Sequence, residues 1–147
     1  MSIEFRVHGT PAPQGSKRHV GKGRMVEQSE KLMPWREAVV SAIIRAELAD
    51  LRLDGPLAIS ITFYLQRPAS HSGKRGLLPS APAYPHKLPD IDKLVRSTFD
   101  ACTQSGLVVD DARFVGLITA KEYADDEAKG AHICIRQLTP TMKETNA

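Results

Sequence analysis

The sequence predicts an α+β domain: a four-stranded, mixed sheet packed by two helices in the order β-α-β-α-β-β. Three observations lead there. Four segments alternate apolar and polar residues with the period of a strand, and two others repeat apolar residues at helical spacing. Each strand has one apolar face, which fits a sheet covered mainly on one side. The chain has 147 residues, 41% hydrophobic and 25% charged, enough for one core-forming domain over about 1–139.

Ile3, Phe5 and Val7 alternate with Glu4, Arg6 and His8, and GTPAPQG ends that strand with breakers. A basic loop, SKRHVGKGRM, runs from Ser16 to Met25 and carries Lys17, Arg18, Lys22 and Arg24. Leu32, Trp35, Val39, Ala42, Ile43 and Ala46 predict an amphipathic helix over about 30–49, with Pro34 in its first turn and Trp35 anchoring the core. After Asp54-Gly55-Pro56, Leu57 to Leu65 alternate strictly, a second strand. The stretch 67–89 is rich in Pro, Gly and Ser and reads as a long loop, either functional or a bland insertion. A helix follows over about 91–104 with Asp90 at its N-cap, then strands over Phe114–Glu122 and Ala131–Leu138 and a frayed tail over 140–147. Periodicity supplies no strand order.

The net charge is a modest +3, so its placement matters more than its size. Cys102 and Cys134 lie in apolar periodic segments and read as small core residues rather than a disulfide. No signal peptide and no membrane span of roughly 18 apolar residues is apparent, which points to a cytoplasmic, reduced protein. The five histidines show no zinc spacing.

The acids are the informative feature. Asp90, Asp92, Asp100, Asp110 and Asp111 crowd around one short helix. Like charges raise one another's pKa, and a hard divalent ion held by carboxylate oxygens would relieve that cost. A plainer reading stands beside it: Asp90 as a cap, and Asp92–Arg96–Asp100 as a solvated ion-pair ladder. The Asp110-Asp111 pair favours the ion, because a short return after the helix would supply three carboxylates from two elements. Adjacent strand residues face opposite ways, so only one of the pair faces that ion.

P89-D90-I91-D92-K93-L94-V95-R96, then F99-D100-A101 and V109-D110-D111-A112, resembles the RusA family of Holliday-junction resolvases. The early G9-T10-P11-A12-P13 with S16-K17-R18 is similar to that family's N-terminal element. The resemblance implies catalytic, metal-binding aspartates at Asp90, Asp92 and Asp111, and a catalytic cation at Arg96. This chain departs from the pattern twice, with Lys93 where the family has Asn and Arg96 where it has Lys. An Arg keeps the charge but does not transfer a proton, so Lys93 or Lys121 could stand in for that role.

The implied chemistry is Mg²⁺-dependent phosphodiester hydrolysis, with Mn²⁺ a substitute, on four-way DNA junctions cut by paired symmetric nicks. Lys17, Arg18, Lys22, Arg24, Lys74, Arg75, Lys93 and Lys121 are the candidate DNA contacts. A near-two-fold junction calls for two matched sites, hence a homodimer. The family resemblance implies a bacterial or phage-encoded protein. The alternatives are a junction-binding protein with weak or no catalysis, and a metal-dependent nuclease for forks or flaps.

Overall fold

The predicted strands and helices all form. In chain order they are β1 (Ser2–His8), α1 (Lys22–Arg45), β2 (Leu57–Gln66), a two-residue hairpin β3 (Ser72–Gly73) and β4 (Gly76–Leu77), α2 (Ile91–Ser105), β5 (Phe114–Ala124) and β6 (Gly130–Gln137). The structure, a computed structural model, describes the backbone of residues 1–15 and 22–139, and side chains other than those of 22–29. Lys17 and Arg18 of the expected basic loop and the 140–147 tail lie outside the described residues.

The sheet order is β1-β6-β2-β5. β1 and β2 both pair antiparallel with β6, and β2 pairs parallel with β5, so the sheet is mixed. β2 lies between two neighbours, and Leu57, Ile59, Ile61, Phe63 and Leu65 bury their whole face. Both helices cover that same face. Trp35 of α1 lies 6.5 Å from Phe63, ring to ring, and its Nε1 donates to Thr98 Oγ1 of α2 at 3.4 Å. Val39, Ile43, Leu94, Ala101 and Cys102 complete the core. Fully burying a side chain such as Phe63, Ile61 or Leu94 contributes roughly 1.5–3 kcal/mol.

Four expectations are corrected. First, α1 begins at Lys22 rather than near 30, so Lys22 and Arg24 lie in its opening turns and not in a loop. Gly23 is tolerated there because the first helical N–H groups lack intrahelical partners anyway. Pro34 is consequently internal to the helix, on its exposed side. Second, α1 stops at Arg45 rather than 49. Glu47 takes a left-handed φ of 59°, its N–H reaches Ile44 O, and Leu48 N–H reaches Ile43 O, a Schellman-type end built without glycine. Third, helical spacing predicts a buried arc of Ile91, Val95, Thr98, Phe99 and Cys102 on α2; Val95, Thr98 and Cys102 are buried, and Leu94, Ser97 and Ala101 widen the arc. Ser97 is tolerated in the core because its hydroxyl donates to Ala12 O at 2.7 Å, tying the 9–14 segment to α2. Fourth, Cys102 is buried as expected, but Cys134 is only half-buried and sits on the sheet face the helices leave open.

The end of α2 decides where the second acidic pair goes. Gly106 caps the helix at φ 88°, and a Cβ there would stand 2.7 Å from the Ala49 carbonyl oxygen. The chain then runs parallel to residue 53: Leu53 N donates to Leu107 O and Val109 N to Leu53 O. That bridge delivers Asp110 and Asp111 to the head of β5. Among the described residues, no helix is long and apolar enough to cross a membrane.

Candidate active site

Asp90 and Asp92 stand exposed at the start of α2, where the helix dipole is positive. Asp90 is the N-cap by backbone angle, yet its side chain makes no capping hydrogen bond. Its carboxylate is therefore not consumed by the helix, and faces Lys93 Nζ at 3.4 Å. Lys121 reaches from β5 to the segment before the helix, donating to Lys87 O at 2.9 Å and Pro89 O at 2.8 Å. The half-buried Lys121 ammonium thus fixes the approach to Asp90. Gln14 N donates to Lys93 O at 3.1 Å, so the 9–14 segment closes over the same turn. Gln14 Oε1 is buried with no hydrogen-bond partner among the described residues.

Arg96 is exposed one turn beyond Asp92. Among the described residues, no ion pair joins it to Asp92 or Asp100, so the ladder that would make this stripe merely structural is not formed. Among the described residues, no acid pairs with its guanidinium.

The second acidic group lies farther along α2. Phe114 stacks on Phe99 at 4.4 Å between ring centroids, which sets the head of β5 against the middle of the helix. Asp110 caps a short turn over 111–113, accepting from Ala112 N at 2.8 Å. That backbone bond, followed by a hydrogen bond with Asp111, holds its carboxyl below the usual carboxylate range. Asp111 is pushed the other way by partial burial, then by the hydrogen bond with Asp110 and the charges of Asp110 and Asp100. Arg113, next along the turn, is committed to Asp54 at 2.5 Å.

Asp111 therefore lies near enough to Asp100 to feel its charge, at a β5 head that the Phe99–Phe114 stack sets against the middle of α2. Asp90, Asp92 and Asp111 do not form a group whose three carboxylates all lie within 4.8 Å of one another. The donor chemistry nevertheless suits a hard divalent ion: oxygen ligands only, Asp90 uncapped, and Asp111 in need of a cation. Asp100, a member of the ion-pair ladder in the plainer reading, adds its charge to the repulsion at Asp111.

Lys74 and Arg75 occupy the exposed turn between β3 and β4. The 67–89 loop is pinned at its base: Arg67 donates to Pro82 O at 2.8 Å and lies over the Tyr123 ring at 4.3 Å. Sequence reading missed Arg67, Ser97 and Gln14 as organisers of this region, because their partners are backbone carbonyls and amides that no spacing announces.

A family model described as endodeoxyribonuclease RusA matches residues 8–136, most of the chain and all of the acidic segment. No curated protein matches the chain.

Proposed function

Because the chain belongs to the RusA endodeoxyribonuclease family, we propose that it resolves four-way DNA junctions with paired nicks, using a divalent ion held by Asp90, Asp92 and Asp111. The observation that carries the site is the uncapped Asp90 beside Asp92 at the exposed, dipole-positive start of α2, buttressed by Lys121. Mg²⁺, or Mn²⁺ in its place, would supply charge neutralisation and a more acidic bound water. The residues do the rest. Asp90 and Asp92 bring ligand oxygens from the helix, and Asp111 brings one from the head of β5.

Arg96 lies along the same helix face and offsets charge developing on the scissile phosphate, a role that needs a fixed positive charge and no proton transfer. Lys93 contacts phosphate when it leaves Asp90, and Lys121 holds the 87–89 segment while adding charge nearby. Lys74 and Arg75, at the hairpin tip, and the basic stretch Lys17, Arg18, Lys22 and Arg24 supply further phosphate contacts.

A homodimer would present two copies of the site to a near-two-fold junction. The unpaired edge of β5, with Val115 64% and Ile118 76% exposed, offers apolar surface for that association.

Cleavage of a four-way junction, a fork, linear duplex and RNA, each with and without Mg²⁺, tests the reading. Ion-dependent, symmetric cutting of the junction ahead of the other substrates is expected. Preference for linear duplex overturns junction resolution. Tight junction binding with no cutting under any divalent ion leaves a binding protein in which the Lys-to-Arg change has cost catalysis.

A further inference from the structure

The sheet face away from the helices carries a side-chain cluster that the nuclease chemistry does not use. On β6, His132 and Cys134 are two residues apart and point to one face. On β1, Glu4 is the direct cross-strand partner of Cys134. Glu4 Oε2 lies 2.9 Å from His132 Nε2 and accepts from Cys134 Sγ at 3.4 Å. All three ligand atoms fall within 4.8 Å of one another, the one group of three such side chains among the described residues to do so. Arg6, which neighbours them on β1, is drawn off to the Ala128 carbonyl and the Tyr64 ring and leaves the cluster open.

We propose that Glu4, His132 and Cys134 form a second cation site that takes a borderline divalent ion, Zn²⁺ first among them, with solvent at the fourth position. A thiolate, an imidazole and a carboxylate are the three donor types zinc accepts, whereas Mg²⁺ selects oxygen. Tetrahedral zinc with ordinary bond lengths separates S, N and O ligands by roughly 3.3–3.6 Å. The Glu4–His132 and Glu4–Cys134 spacings of 2.9 Å and 3.4 Å lie close to that, and the third pair lies within 4.8 Å, so side-chain rotation alone brings the three together. On binding, a sulfur–metal bond replaces the Cys134 S–H, whose proton leaves to solvent. The site would staple the N-terminal edge strand to β6, and through it the 9–14 segment that packs on α2. No zinc spacing is visible in the sequence because one ligand arrives across strands, 128 positions from the nearest other.

Co²⁺, a spectroscopic stand-in for Zn²⁺, tests this on the full chain under a phosphine reductant, with Mg²⁺ in excess to occupy oxygen-only sites. A thiolate-to-cobalt charge-transfer band saturating at one ion per chain and displaced by Zn²⁺ is expected. Cys102 is fully buried, so Cys134 is the thiol that can give it. Cys134→Ser should abolish the band, and His132→Ala and Glu4→Gln should each weaken binding by about tenfold or more. Zn²⁺ should raise the melting temperature of the wild type and not of Cys134→Ser, while Mg²⁺-dependent cleavage by that variant stays at the wild-type level. Absence of a thiolate band, or equal Zn²⁺ affinity in wild type and Cys134→Ser, overturns the proposal. Circular dichroism of each variant separates ligand loss from misfolding, since the substituted side chains lie on the open face.

Discussion

The start and the middle of α2 meet the same kind of side chain in opposite surroundings. At the start, Asp90 has Lys93 at 3.4 Å, and Lys121 anchors the segment just before it. Farther along, Asp111 meets Asp110 and Asp100, and the adjacent Arg113 is already paired with Asp54. The fold places lysines beside the first group, whereas Arg113, which helps hold Asp110 ionised, is bound to Asp54 and leaves Asp111 raised. Unneutralised acids cost stability, and a fold that keeps them has left room for a cation from outside.

The largest effect is expected from the helix start. Asp90→Asn and Asp92→Asn should each lower single-turnover junction cleavage by at least about 10²–10³-fold, the scale of losing one transition-state electrostatic partner. Junction binding in a gel-shift assay should be unchanged or tighter, because a negative charge facing DNA is removed. Normal cutting by Asp90→Asn breaks the assignment of that end as catalytic.

Arg96 comes next. Arg96→Ala should reduce cleavage by one to two orders of magnitude, as loss of a charge partner does, and Arg96→Lys should retain most of it. An Arg96→Lys variant as inactive as Arg96→Ala would mean the planar fork itself is required.

Asp111 gives a smaller effect of opposite sign in stability. Its folded pKa is raised above the ordinary 3.8, so its favourable contribution is complete below that value and is lost as pH rises through the folded pKa. Asp111→Asn should therefore melt higher than wild type at neutral pH and equally below pH 3.8, even though it loses cleavage. Solvent screening keeps the gain below about 1 kcal/mol. Asp100→Asn relieves part of the same repulsion and should move the acid limb of the pH–rate profile to lower pH. Asp110 has the opposite sign, its contribution lost only as pH falls through its lowered pKa.

The smallest effect belongs to the hairpin tip. Replacing Lys74 and Arg75 with Ala should reduce the slope of log binding constant against log salt by roughly one per phosphate contact, uniformly across DNA sequences. An unchanged slope would remove that turn from the interface.

How far the sequence could be read follows from the same physics. Strict alternation in Leu57–Leu65 announced β2 because a strand buried between two neighbours cannot afford a misplaced polar residue. Asp90 marked the start of α2 correctly, since an N-cap is a local choice, and the helix runs one residue past the expected 104 to its Gly106 cap. The stop of α1 was illegible because a Glu, not a Gly, takes the left-handed position. Its start was masked by Gly23 among lysine and arginine, which reads as loop. The placement of Asp111 depends on the Leu53–Val108 bridge and the Phe99–Phe114 stack, contacts between distant segments that no local pattern encodes. Cys134 looked like core because strand alternation gives two faces without saying which one the helices cover.

Bound Mn²⁺, counted by its paramagnetic signal in the protein–junction complex, addresses the central claim most directly. The acids of the helix start and of the β5 head should act as one site, so Asp90→Asn and Asp111→Asn should each weaken Mn²⁺ binding and lower occupancy at subsaturating ion. Wild-type Mn²⁺ affinity in Asp111→Asn would contradict the account, leaving the second acidic group outside the metal site.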